Sequence, residues 1–119
     1  MKRPEQEIHK AVVAHLNARA ERGTVFFHTP NGGKRGIREA TIFKTLGVQA
    51  GVPDLIIFRK GESFGLELKA TKGRLSASQV SFMKMMEDAG AKTAVAHSLD
   101  EALITLEVWG ILKRGSVAA

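Results

Sequence analysis

Near the start of the chain apolar residues recur every four positions. Ile8, Val12, Leu16 and Ala20 form one stripe in EQEIHKAVVAHLNARAE, which predicts an amphipathic helix over residues 5–21. Pro4 stands where a helix starts and Gly23 where it stops. Thr24–His28 (TVFFH) is short, β-branched and aromatic, a strand pattern. Pro30-Asn31-Gly32-Gly33 then breaks regular structure, a basic glycine-rich stretch follows, and residues 39–46 read as a short helix. Residues 54–58 (DLIIF) and 64–69 (FGLELK) are two strands, and the five residues 59–63 (RKGES) between them signal a hairpin. A helix over 76–89 is expected to bury Val80, Met83 and Met86 and to end at Gly90. A fourth strand over 93–97 precedes a closing helix over 98–108, opened by a capping box of Ser98 and Glu101. The order α-β-(α)-β-β-α-β-α predicts an α/β fold with a mixed four-stranded sheet flanked by helices.

With 119 residues, no repeat and no long linker, the pattern describes a single domain over 1–119, its core at about 5–110. The absence of Cys removes disulfide scaffolds, thiolate metal sites and Cys nucleophiles. No apolar run reaches the roughly 18–20 residues of a membrane span, and MKRPEQEIHK is not a signal segment, so a cytoplasmic, membrane-free protein is expected.

Charge changes the picture more. Of the 18 Lys and Arg, nine lie within residues 32–74, against four acids there; the rest of the chain is nearly balanced. A basic surplus in one segment predicts a polyanionic partner, DNA or RNA first, against the plainer reading of a solvated basic surface.

Inside that segment sit carboxylates that nucleic-acid binding alone does not need. A hairpin turning at Gly61 brings Asp54 opposite Glu67 at one rim of the sheet. Lys69, two residues on, projects from the same face as Glu67. Two adjoining carboxylates repel unless a cation lies between them, and a hard ion such as Mg²⁺ or Mn²⁺ meets that need while leaving positions for water and phosphate. A neighbouring ammonium can orient a water or hold phosphoryl charge, so the set suits metal-assisted phosphodiester hydrolysis.

Pro53-Asp54 followed by Glu67-Leu68-Lys69 resembles the PD-(D/E)xK motif of restriction-endonuclease-like nucleases. The wider pattern resembles the VRR-NUC (virus-type replication-repair nuclease) branch, stand-alone phage or bacterial type. The features carrying that likeness are Glu7, His28-Thr29-Pro30-Asn31-Gly32, GVQAGVPD at 47–54, KGRLS at 72–76 and Gln79. The resemblance implies an α-β-β-β-α-β core of restriction-endonuclease type. It implies metal binding by Asp54, Glu67, the Leu68 carbonyl and Glu7, with Lys69 as catalytic lysine and Gln79 near the scissile phosphate. It also implies an endonuclease acting on branched DNA such as Holliday junctions, usually as a homodimer. A flap or single-strand-junction nuclease and a non-catalytic nucleic-acid-binding module of the same fold are the alternatives. The family often has an aromatic residue one turn after the Gln; here Phe82 and Met83 lie nearby and there is no Tyr.

Gln79 has two readings, because Ser76-Ala77-Ser78-Gln79 is also an S-x-x-Q capping box. His28 and Asn31 are candidates to line the DNA site, with a satisfied strand-end histidine as the plainer reading of His28. Lys34, Arg35 and Arg38 of GGKRGIR, with Lys72 and Arg74, are the expected phosphate contacts; a mobile basic loop is the plainer reading of GGKRGIR. His9, His15 and His97 lack ligand spacing with a partner and read as structural or surface residues.

Overall fold

The element order is the one the periodicity predicts: α1 (Pro4–Arg19), β1 (Thr24–His28), α2 (Ile37–Thr45), β2 (Leu55–Arg59), β3 (Glu62–Leu68), α3 (Ala77–Asp88), β4 (Lys92–Ala96) and α4 (Leu99–Val108). The computed structural model describes residues 4–30 and 36–114. The four strands lie in the order β1-β2-β3-β4. The first two pairings are antiparallel and β3 runs parallel to β4, so α3 is the crossover a parallel pair requires.

Strand alternation divides the sheet's side chains between two faces. Leu55 and Ile57 of β2 and Phe64, Leu66 and Leu68 of β3 join Val12 and Leu16 of α1 and Ala102 and Leu106 of α4 in the core. The predicted α1 stripe is therefore the buried one: Val12 and Leu16 are in the core and Ile8 and Ala20 pack against it. After α4 the chain folds back, burying Ile111 and Leu112 and bonding Lys113 N–H to the Arg19 carbonyl. The other face carries Ile56, Gly65 and Glu67, the odd and even partners of the core residues.

The hairpin is tighter than the expected five-residue connection. Arg59 pairs with Glu62, leaving a two-residue Lys60-Gly61 turn with φ of 50° and 80°. Such left-handed pairs match the twist of the flanking strands, and the ladder runs up to them. Val80 is the clearest departure: it is 54% exposed, while Met83 is buried and Met86 half-buried. The helix turns its 79, 82, 83 and 86 positions inward, and Val80 lies outside that arc. At α4, Ser98 Oγ accepts from Glu101 N–H, yet the Glu101 carboxylate takes the His97 N–H, so only half of the predicted box forms.

Gly51 sets the distance between the loop before β2 and α3. It has φ +85°, and a Cβ there would lie 2.2 Å from the Ser78 carbonyl oxygen and 2.8 Å from Gln79 N. Gly51→Ala therefore combines backbone strain with a clash against helix backbone, which is expected to cost about 3 kcal/mol or more. Gly61→Ala, with φ +80° and open space around it, is expected to cost only about 1–2 kcal/mol of left-handed strain. Thermal unfolding of the two variants checks this: the Tm drop at Gly51 should be at least about twice that at Gly61.

Candidate active site

The β2–β3 ladder ends at Leu55 and Leu66, and the next residues continue it with side chains. Asp54 N–H donates to Glu67 Oε1 at 3.1 Å, and Leu68 N–H donates to Asp54 Oδ2 at 2.9 Å. The pairing of Asp54 with Glu67 read from the turn is thus the observed one, held by one bond between them and a second from the next residue, Leu68, to Asp54. Pro53, fully buried, anchors the chain just before Asp54.

Glu67 is buried to 3% exposure. Its Oε2 accepts from Gln79 Nε2 at 2.9 Å and lies 3.4 Å from Lys69 Nζ. Gln79 also closes a full capping box: its Oε1 accepts from Ser76 N–H at 2.8 Å, and its own N–H donates to Ser76 Oγ at 3.2 Å. The two readings of Gln79 are therefore compatible, since the cap uses Oε1 and the site uses Nε2. Two partners of opposite polarity also fix which way the amide points.

Burial, and next the charge of Asp54, push the Glu67 carboxyl up to about 7 from its ordinary 4.5; Lys69 and the Asp54 N–H pull the other way. One ammonium does not offset both the desolvation and the second carboxylate. That shortfall is the structural fit for a cation: two carboxylates on one wall, with Leu68 beside them, form an all-oxygen donor set suited to a hard divalent ion.

These groups line a cleft of about 530 Å³ together with Glu5, Gln6, His9 and Lys10 of α1 and His28 at the end of β1. Glu7, expected at the metal, is exposed and does not line the cleft. At 100° per residue Glu7 points roughly opposite to His9, whereas Glu5, one turn before His9, shares its face. Glu5 and His9 were therefore the residues to look for: an i, i+4 pair off the apolar stripe. His28 Nδ1 lies 2.7 Å from the Asp54 carbonyl oxygen, and the His9 and His28 rings meet edge to face at 4.3 Å. Burial, then His28, lowers the His9 pKa, against the pull of Asp54. His97 bonds through Nε2 to the Gly73 carbonyl at 3.0 Å, a structural role.

Of the expected DNA contacts, Arg38 is exposed on the first turn of α2, and Lys72 and Arg74 are exposed on the connection from β3 to α3. None of the three lines the cleft. Asn31, Lys34 and Arg35 lie outside the described residues.

The family model for the VRR-NUC domain matches residues 3–100. The chain belongs to the VRR-NUC family. It is accordingly a nuclease of the PD-(D/E)xK kind, with DNA as its substrate class, and such nucleases usually use divalent metals. Two solved structures are similar to it. One, described as a VRR_NUC domain protein, superposes with TM-score 0.75 at 23% identity, covering 95% of this chain and 98% of that one. The other, described as a VRR_NUC domain, gives 0.62 at 17% identity over 89% and 97% of the two chains. At these identities the likeness is one of fold. No curated protein matches the chain.

The raised Glu67 pKa predicts how stability of the metal-free VRR-NUC domain varies with pH. The folded state holds the proton more tightly than the unfolded chain. The Glu67 contribution to stability is therefore greatest below 4.5, falls as pH rises from 4.5 to about 7, and stays reduced above that. Glu67→Gln removes the titrating charge. It should raise Tm relative to the native protein at pH 8 in EDTA, by several degrees per kcal/mol recovered, and lose that advantage at pH 4. Thermal scans at the two pH values measure it.

Proposed function

We propose that this VRR-NUC protein is a Mg²⁺- or Mn²⁺-dependent endodeoxyribonuclease of the cytoplasm that hydrolyses phosphodiester bonds in branched DNA, with four-way Holliday junctions as the leading substrate. The observation that carries the reading is the bonded set of Asp54, Glu67, Lys69 and Gln79 in one cleft. The basic surplus of residues 32–74 surrounds that acidic centre in sequence.

Asp54 and Glu67, with the Leu68 carbonyl, are the groups that would hold the cation. When bound, it would polarise the phosphate and neutralise charge that builds there during attack. The chain's own residues supply the rest. Gln79 Nε2 holds Glu67 Oε2 in orientation from a helix N-terminus that its own cap makes rigid. Lys69 Nζ, beside that same oxygen, is placed to orient the attacking water, accept or return its proton, and hold phosphoryl charge. Lys34, Arg35, Arg38, Lys72 and Arg74 serve as phosphate contacts along the duplex arms, with Asn31 a further DNA contact and His28 lining the cleft.

A homodimer suits a junction whose symmetric strands need paired cuts. What supports it here is apolar surface. Val25, Phe27 and Phe58 on the outer face of β1–β2, Leu46 after α2, and Val80 and Met85 on α3 are all exposed, Leu46 to 73%. Phe27, Phe58 and Met85 border a cavity of about 1010 Å³, and exposed apolar surface of this kind commonly marks an interface. Among the described residues no helix is long and apolar enough to cross a membrane.

The test is cleavage of synthetic four-way junction, flap and duplex substrates with Mg²⁺, Mn²⁺ or EDTA. Cutting should require the metal and favour the junction. Asp54→Ala should abolish it while DNA binding holds or rises, because a negative charge facing phosphate is removed. Wild-type rates from that variant at modest Mg²⁺ would end the assignment.

Lys69→Arg separates proton handling from charge. Arg keeps the positive charge but hardly deprotonates and is bulkier and planar. The variant should bind DNA normally and cut at least about a hundredfold more slowly, the lower scale for losing a positioned acid–base group. Single-turnover cleavage at saturating Mg²⁺ measures this, and a near-native rate would leave Lys69 only an electrostatic role.

A further inference from the structure

From the geometry of the α1 side of the cleft we infer a second cation site, formed by His9, His28 and Asp54 and selective for ions that accept imidazole nitrogen, Zn²⁺, Co²⁺ and Ni²⁺ among them. One ligand atom from each residue lies within 4.8 Å of the other two. In a tetrahedral site with bonds of about 2.0–2.1 Å, donor atoms lie about 3.3 Å apart. A bound ion would thus draw the three donors somewhat closer than that upper limit. Mg²⁺ prefers oxygen donors and suits the Asp54–Glu67 wall; an imidazole pair suits the borderline transition ions.

A second observation points the same way. A carbonyl oxygen can only accept, so His28 Nδ1, 2.7 Å from the Asp54 carbonyl, must be the protonated nitrogen. Nε2 is then the ring nitrogen left to ligate an ion. A ligating histidine is commonly arranged in this way, its far nitrogen donating to a carbonyl that fixes tautomer and ring direction. The acceptor here belongs to Asp54 itself, and its position is fixed by the bonds to Glu67 and Leu68. On the other side, His9 is set in α1 by the neighbouring Ile8, which packs against the core. Glu5, one turn earlier and also lining the cleft, is within the same wall as a further oxygen donor.

The proposal rests on the catalytic reading only in sharing Asp54, and ion binding is measured without DNA. The probes are Zn²⁺ and Co²⁺ alone, each titrated into the purified full chain against a chromophoric competitor. Circular dichroism confirms that each variant is folded. His9→Gln/His28→Gln should bind Zn²⁺ at least about tenfold more weakly than the native protein, whereas Glu67→Gln should keep native Zn²⁺ affinity. In the native protein, which needs no substitution, Zn²⁺ should shift the ¹⁵N resonances of the His9 and His28 imidazoles, and Mg²⁺ should leave them in place. Equal Zn²⁺ affinity in the native and double-histidine proteins overturns the site, as do unmoved imidazole resonances. Loss of Zn²⁺ binding in Glu67→Gln with the histidine variant unaffected also overturns it, by putting the ion on the carboxylate wall. Failure of the catalytic reading shows separately, as no Mg²⁺-dependent cleavage by the native protein.

Discussion

A carboxylate with 3% exposure and a second carboxylate across the strand from it is an expensive arrangement for any small fold. Desolvation disfavours the charged form, and the neighbouring charge adds to it. Glu67 is tolerated because every direction around it is specified: an N–H from Asp54, an amide from Gln79 and an ammonium from Lys69. These come from the residue before β2, the first turn of α3 and the end of β3. Their convergence constrains where each of those elements can lie.

The backbone choices nearby follow from that constraint. Gly51 and Pro53 bring the segment before Asp54 against α3, where a Cβ at 51 would collide with the helix backbone. At Gly65 a Cβ would come within 2.9 Å of both Pro53 Cγ and Met86 Cε. The sheet face behind Glu67 is thus closed by small residues and a flexible methionine, and α3 approaches closely enough for Gln79 to reach the carboxylate. The core on the opposite face supplies the stability; the Asp54–Glu67 side spends some of it to hold two like charges together.

The element order and the Asp54–Glu67–Lys69 set were legible in the chain because they depend on short-range rules. Period-two alternation and a glycine turn fix strand register, and register fixes which side chains share a rim. The α1 stripe was legible for the same reason at period 3.6. What the pattern did not resolve was the polar side of helices. Glu7 and Glu5 are chemically identical, and only the packing of Ile8, Val12 and Leu16 determines that Glu5 and His9 turn to the cleft. His9 and His28 are 19 positions apart, too far for any ligand spacing, and α1 and β1 bring them to ring contact. Val80 failed in the converse way: an apolar residue near a helical stripe lies outside the arc that α3 turns toward the sheet. Gln79 was ambiguous in sequence because a motif names a residue and not its atoms.

Electrostatics link the acidic centre to its basic surroundings. Phosphate backbone drawn in by the surplus of Lys and Arg meets two carboxylates that would repel it. On the proposed function the repulsion is strongest where hydrolysis would occur, so a cation held by the carboxylates would change the site from rejecting phosphate to accepting it. Lys69 alone cannot make that change, since it is already paired with Glu67. Binding and cutting therefore place different demands on the same surface. On the proposed function, charge spread over the exposed basic residues would hold DNA without metal, whereas approach of one phosphodiester to Asp54 and Glu67 would require the local charge to be reversed. A centre built this way would resist a phosphate in the cleft until an ion neutralised the two acids. The metal dependence proposed above would then follow from the acids' placement as much as from the chemistry of the bond being broken.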